Sequence, residues 1–194
     1  MWRFDETFQH GYACEVQPDL DGREGPRYYI PAASFSGGRD GVTVKVVPPQ
    51  GEAWIGTFAF GTMPNGLSGV FTTPDVAKLL VVTKGDGYLV STNDPEQWER
   101  VATVPTTDVR SDPKHGIIVL ASFTHLVAYN QCGLVWKTEQ LSWDNLKIIS
   151  INDDDLVGEF WDLRTETKQR FAVDLKTGTA TGGAVLLERK LSRR

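Results

Sequence analysis

Five acids fall within ten residues: Asp153, Asp154, Asp155, Glu159 and Asp162. Oxygen ligands in that density can hold Ca²⁺ or Mg²⁺. Residues two apart on a strand share a face, so Asp153 and Asp155 would point together, with Glu159 as the next ligand along. The spacing departs from the Asp-x-Asp-x-Asp-Gly of an EF-hand. The same acids also read as a solvated hairpin turn with Asn152 and Asp153 at positive φ, or as an acidic loop that meets a partner. Trp143 lies a few residues upstream in Leu141-Ser142-Trp143-Asp144-Asn145. Turn chemistry around it predicts an exposed ring, and exposed aromatics beside acids anchor interfaces. Asp153, Asp154, Asp155 and Trp143 are therefore the expected partner contacts. Asp153, Asp155 and Glu159 are the alternative metal ligands.

Other catalytic chemistry is poorly supported. His10, His115 and His125 are not spaced as metal ligands. His125 sits in an apolar run and is expected to be a hydrogen-bonded structural residue. Ser68, His125 and Asp75 could be written as a triad, but Gly66-Leu67-Ser68-Gly69 is not a Gly-x-Ser-x-Gly elbow leading into a helix. Phosphate-binding glycine loops are missing. Ser36-Gly37-Gly38-Arg39-Asp40-Gly41 reads as a surface turn. No cofactor is expected.

The elements that would carry these residues read as β throughout. Val, Ile and Thr number 44 against 12 Ala, and apolar runs of four to seven residues are bounded by turns. The best are Val42–Val47, Ala53–Phe60, Lys78–Thr83, Gly87–Ser91, Gly116–Ser122, His125–Tyr129, Leu146–Ile151, Leu156–Asp162 and Gln169–Asp174. Shorter ones are Tyr28–Pro31, Gly69–Phe71, Arg100–Val104, Leu134–Lys137 and Ala184–Glu188. Asp40-Gly41, Asn65-Gly66 and Asp86-Gly87 supply positive-φ turn positions. Asp94-Pro95-Glu96-Gln97 has the signals for one helical turn. Leu, Ile, Val and Phe total 51 of 194 residues, enough for a packed core. One all-β domain over 1–194 is expected: 1–50 loop-rich, 51–188 repetitive, and 189–194 a basic tail.

Three segments share one grammar of polar turn, buried strand, hairpin, second strand and aromatic. They start at Thr73-Pro74-Asp75, Ser111-Asp112-Pro113 and Ser142-Trp143-Asp144. Trp98 and Trp136 stand 38 residues apart. One small sheet cannot bury both faces alone, so such units stack. Trp54, Trp98, Trp136 and Trp161 are expected in strand interiors or at blade positions. Ser91-Thr92-Asn93-Asp94-Pro95-Glu96-Gln97-Trp98 is similar to an Asp-box, keeping Ser and Trp but not its Asp, Gly and Thr. Val127 to Trp136 and Phe171 to Gly178 resemble quinoprotein-type repeats. Residues 72–183 thus resemble β-propeller blades. The resemblance implies an all-β fold of blade-like repeated antiparallel hairpins, as a small, partial or irregular propeller. A sandwich of meandering hairpins is the alternative. Tyr28-Tyr29-Ile30-Pro31 is similar to the Arg-Ile-Pro strand of sialidases. Tyr29 occupies the arginine position there and cannot hold a carboxylate bidentately.

Net charge is −5, and the last seven residues carry +3 of it, so the body is acidic. A basic nucleic-acid footprint is missing, and no apolar run approaches a membrane span. The N-terminal residues lack a signal-peptide pattern. Cys14 and Cys132 make no Cys-x-x-Cys motif and are expected to be free and buried. These features predict a cytoplasmic, non-enzymatic binder of a protein partner, which would be basic. An immunity or antitoxin-type protein combines them, blocking its partner by shape and charge. The alternative is a propeller-type metal-dependent hydrolase or a sugar-binding protein.

Overall fold

The computed structural model describes residues 2–20, 22, 25–32 and 40–184. The expected basic segment 189–194, the Ser36–Arg39 part of the glycine-rich turn, and the last strand beyond Ala184 lie outside them. The described regular elements are β-strands, arranged as several small sheets. No helix among the described residues is long and apolar enough to cross a membrane. The chain divides into two compact units, 1–105 and 106–194.

The second unit shows the repeat in its simplest form. Strands β10 (Asp108–Asp112), β11 (Ile117–Ala121), β12 (Leu126–Asn130) and β13 (Gly133–Lys137) pair antiparallel in chain order. Strands β14 (Lys147–Ile151), β15 (Asp155–Asp162), β16 (Thr167–Asp174) and β17 (Ala180–Gly182) do the same. Each is a four-stranded meander of blade type. β15 shows why alternation forms a strand: Leu156, Gly158, Phe160 and Asp162 are buried, while Asp155 and Trp161 are exposed. The core gathers Val119, Leu126, Trp136, Leu156, Phe160, Phe171 and Val173. Gly158 is required by that packing, since a Cβ there would lie 2.1 Å from the Phe171 ring.

The first unit is built less regularly. Strands β6 (Gly69–Thr72), β7 (Lys78–Thr83), β8 (Asp86–Ser91) and β9 (Trp98–Arg100) form the meander, and β1 (Arg3–Asp5) joins β6 in parallel. Strands β2 (Ala13–Val16), β3 (Arg27–Ile30), β4 (Gly41–Val47) and β5 (Trp54–Ala59) form the other sheet, ordered β2-β4-β5-β3 with β3 parallel to β5. The stretch expected to be loop-rich therefore carries four strands, two of them docked in parallel. Its core is rich in aromatics: Tyr12, Trp54, Phe58 and Tyr88, with Tyr28 and Trp98 at its margin.

Turns repeat one chemistry. The carboxylate or amide oxygen of Asp75, Asp94, Asp112, Asn130, Asp162 and Asp174 accepts a backbone N–H two residues on. This is the Asx-turn, which lets a short polar side chain replace a backbone bond. The expected helical turn at Asp94–Gln97 is one of these turns, closed by a 3.0 Å bond from Gln97 N–H to the Asp94 carbonyl. The third repeat is also shifted from expectation. Ser142-Trp143-Asp144 lies between the two sheets' strands β13 and β14, so the counterpart of Asp75 and Asp112-Pro113 is the β14–β15 turn.

Candidate functional site

The acidic turn closes the β14–β15 hairpin, with Asn152 N–H donating to the Asp155 carbonyl at 2.8 Å. Neither Asn152 nor Asp153 has the expected positive φ. Among the described non-glycine residues that conformation falls at Gln17, Lys84, Asn145 and Glu166. The three aspartates have separate surroundings. Asp153 is 98 % exposed in its side chain and lies 3.3 Å from Lys114. Asp155 opens β15 on its exposed face.

Asp154 is the organising residue. Its carbonyl accepts from Leu175 N–H at 2.9 Å. Its carboxylate accepts from Lys176 at 3.2 Å and His115 Nε2 at 3.1 Å, with Lys114 at 3.8 Å. The Lys176 hydrogen bond, then that of His115, holds its pKa below the usual carboxylate value. His115 is clasped on its other side by Asp112, Nδ1 to Oδ2 at 2.6 Å. That bond raises the His115 pKa more than any other contact, with Asp154 adding to it. Three turns thus meet in one charged staple: β10–β11, β14–β15 and the segment after β16. Among the described residues no group of three or more His, Cys, Asp or Glu is placed to hold a metal ion. Glu159, the expected further ligand, instead takes a 3.1 Å bond from Lys168.

Trp143 is exposed at 43 %, but it precedes β14 while the acidic turn follows it. The length of the strand separates them, about 17 Å at 3.3 Å per residue. A different tryptophan continues from the acids. Asp155, Val157, Glu159 and Trp161 share one face of β15, opposite Asp174, Ala172, Arg170 and Lys168 of β16. Trp161 is 43 % exposed, and Leu163 just past the strand is 64 % exposed. Trp161 lies within a strand, as expected, and on its exposed face. The alternation Asp-Leu-Val-Gly-Glu-Phe-Trp-Asp places Trp161 with the acids, and Phe160 takes the core. The signal was period two within one strand.

The remaining candidates have local duties. His125 Nδ1 lies 3.0 Å from Ser122 Oγ and 3.1 Å from Thr124 Oγ1, a structural histidine as expected. Ser68 Oγ accepts from Lys84 N–H, and Asp75 caps Ala77 N–H. Both cysteines are free, but neither is fully buried as expected: Cys14 is half-buried and Cys132 is exposed. Burial, then the Glu6 charge, pushes the Cys14 thiol up from the ordinary value.

No family model matches the chain, and no curated protein matches it. Among solved structures it is similar to one described as TolB from Agrobacterium tumefaciens, at 17 % identity over 59 % of this chain and 44 % of that one, TM-score 0.30. It is also similar to the N-terminal domain of Nup159, at 13 % identity over 97 % of this chain and 56 % of that one, TM-score 0.39. Both are β-propellers. The chain spans about half the length of each.

Proposed function

We propose that this chain is a non-enzymatic, cytoplasmic binding protein that holds a basic protein partner on the outward face of the β14–β17 sheet. The carrying observation is Trp161, 43 % exposed on a central strand, with Leu163 at one end of its row and Asp153 and Asp155 at the other. A half-exposed tryptophan ringed by polar groups is the composition of an interface anchor. In this reading Trp161 and Leu163 supply contact area. Asp153 and Asp155 set orientation and association rate through charge. Asp154 holds the turn in place through Lys176 and His115, and Trp143 contacts the partner's periphery. Blocking a basic partner by shape and charge is the mode of an immunity or antitoxin-type protein.

The test is affinity capture from the source organism's lysate at two salt concentrations, with wild type, Trp161→Ala and the double variant Asp153→Lys with Asp155→Lys as baits. A stoichiometric protein held by wild type, lost by both variants and lost at high salt is expected. Equal capture by folded variants, or no partner at either salt, overturns the proposal.

A further inference from the structure

The three strand tryptophans near the sheet interfaces differ in one respect. Trp54 Nε1 donates to the Thr92 carbonyl at 2.8 Å, and Trp136 Nε1 donates to the Leu175 carbonyl at 2.8 Å. The Trp98 indole N–H has no acceptor among the described residues, and its ring packs edge-on to Tyr88 at 6.2 Å. Trp98 instead lines an open cleft of about 390 Å³ in the first unit, with Arg27, Tyr28, Tyr29, Pro95 and Glu96. The Tyr28 and Tyr29 hydroxyls also lack a protein partner among the described residues, whereas Tyr12 and Tyr88 donate to the Lys78 and Ala59 carbonyls. The cleft's lining therefore includes three aromatic residues whose donors have no protein acceptor among the described residues. Tyr28 and Tyr29, adjacent on β3, turn to opposite faces, Tyr28 toward Trp54 and the core and Tyr29 outward.

We propose that this cleft binds a proline-rich peptide in the polyproline II conformation. Such a chain makes no internal hydrogen bonds, so its carbonyls are free to accept from aromatic donors. Its proline rings pack between aromatic side chains, and its fixed backbone loses little entropy on binding. The exposed Tyr29 ring, Pro95 and Trp98 provide the apolar wall, and the Trp98 N–H with the Tyr29 hydroxyl provides the donors. Trp98 also borders a second cleft of about 320 Å³ with Leu89 and Glu99. Two recesses meeting at one tryptophan suit successive proline-containing turns of one ligand. Glu96 and Glu99 are exposed on either side of Trp98 in sequence and select a basic residue flanking the prolines. A neutral saccharide would also stack on these rings, and the experiment separates the two.

The measurement is selection from a displayed peptide library with a fixed Pro-x-x-Pro core and random flanks, with wild type and Trp98→Phe as parallel baits. Wild type should enrich peptides with Arg or Lys beside the core. The best of these should bind Trp98→Phe about tenfold more weakly, the loss expected of one hydrogen bond. Because Trp98 also packs on Tyr88, Tyr29→Ala serves as the second variant, at an exposed edge-strand position, and should weaken the same peptide. Trp161→Ala should bind it like wild type, which keeps this result separate from the partner face of the second unit. No enrichment over the Trp98→Phe bait, or unchanged binding by Tyr29→Ala, overturns the proposal. So does retention on an immobilised neutral polysaccharide that depends on the same residues when no peptide is enriched.

Discussion

The two units solve one problem, fastening small sheets to each other, with different chemistry. The first uses neutral bonds from buried side chains to backbone carbonyls. Trp54 reaches Thr92, Tyr12 reaches Lys78, and Thr83 and Tyr88 converge on Ala59. The second has such a bond from Trp136 to Leu175 and adds the charged staple of Asp112, Lys114, His115, Asp153, Asp154 and Lys176. Neutral buried bonds are indifferent to pH and salt. Charged bonds at the surface are screened and titrate. The junction between the sheets of the second unit should therefore be the more sensitive of the two junctions to pH and salt.

The shared element gives the largest expected effect. Trp54 and Trp136 are 2 % and 7 % exposed, and each satisfies a carbonyl on the neighbouring sheet. Trp54→Ala and Trp136→Ala should each cost about 3–5 kcal/mol, measured by urea unfolding. Hydrogen exchange should show protection lost first in the unit that carries the change. Tolerance of one of the two would break the equivalence.

Below that stands a neutral tie of the first unit. Tyr12→Phe removes a 3.2 Å bond to the Lys78 carbonyl. It should cost about 0.5–1.5 kcal/mol. Burial drives the Tyr12 pKa far upward, so the hydroxyl stays protonated and the loss should be the same at pH 5 and pH 8.

The charged staple should behave in the opposite way. His115 is raised above its ordinary 6.5, so its contribution is complete below 6.5 and fades as pH rises through the raised value. Asp154 is lowered below 3.8, so its contribution is complete above 3.8 and fades as pH falls through the lowered value. The staple is therefore strongest between those two ordinary values. His115→Gln should remove the loss of stability on the alkaline side, seen as a flatter dependence of Tm on pH between 6 and 8. An unchanged slope would show that the staple does not set it.

Sequence made much of this legible, and its failures have physical causes. Long apolar runs became β4, β5, β7, β8, β11, β12, β15 and β16 with ends displaced by a residue or two. Four strands escaped: β1, β2, β10 and β17. β10 is Asp-Val-Arg-Ser-Asp with one apolar residue, and β17 is Ala-Thr-Gly. Such strands are held by pairing to a neighbour, and tertiary context outweighs their weak propensity. Arg100–Val104 was expected as a strand, but the pairing sits at Trp98–Arg100, set by Val90 opposite Trp98. The acids were legible as a turn. Their cations were not, because Lys114 and His115 lie 39 residues away across a sheet boundary. Only the local half of the staple, Asp112 three residues before His115, is written within one turn.

The smallest expected effect sharpens the split between fold and partner within three consecutive residues. Asp154 is joined to Lys176, His115 and Lys114, and its carbonyl is fixed by Leu175. Asp153 has a single contact, to Lys114, from a side chain almost wholly in water. An exposed pair of that kind gains little from attraction, loses side-chain entropy, and is screened by salt. Asp153→Asn should therefore leave Tm unchanged at every pH, whereas Asp154→Asn should lower it and leave His115 facing only Asp112. NMR titration of His115 should then show a lower pKa in Asp154→Asn and the wild-type value in Asp153→Asn. Equal stability loss in both variants would mean that the turn acts as one charge cluster. Asp153 would then belong to the fold, and its use for a partner would lose its ground.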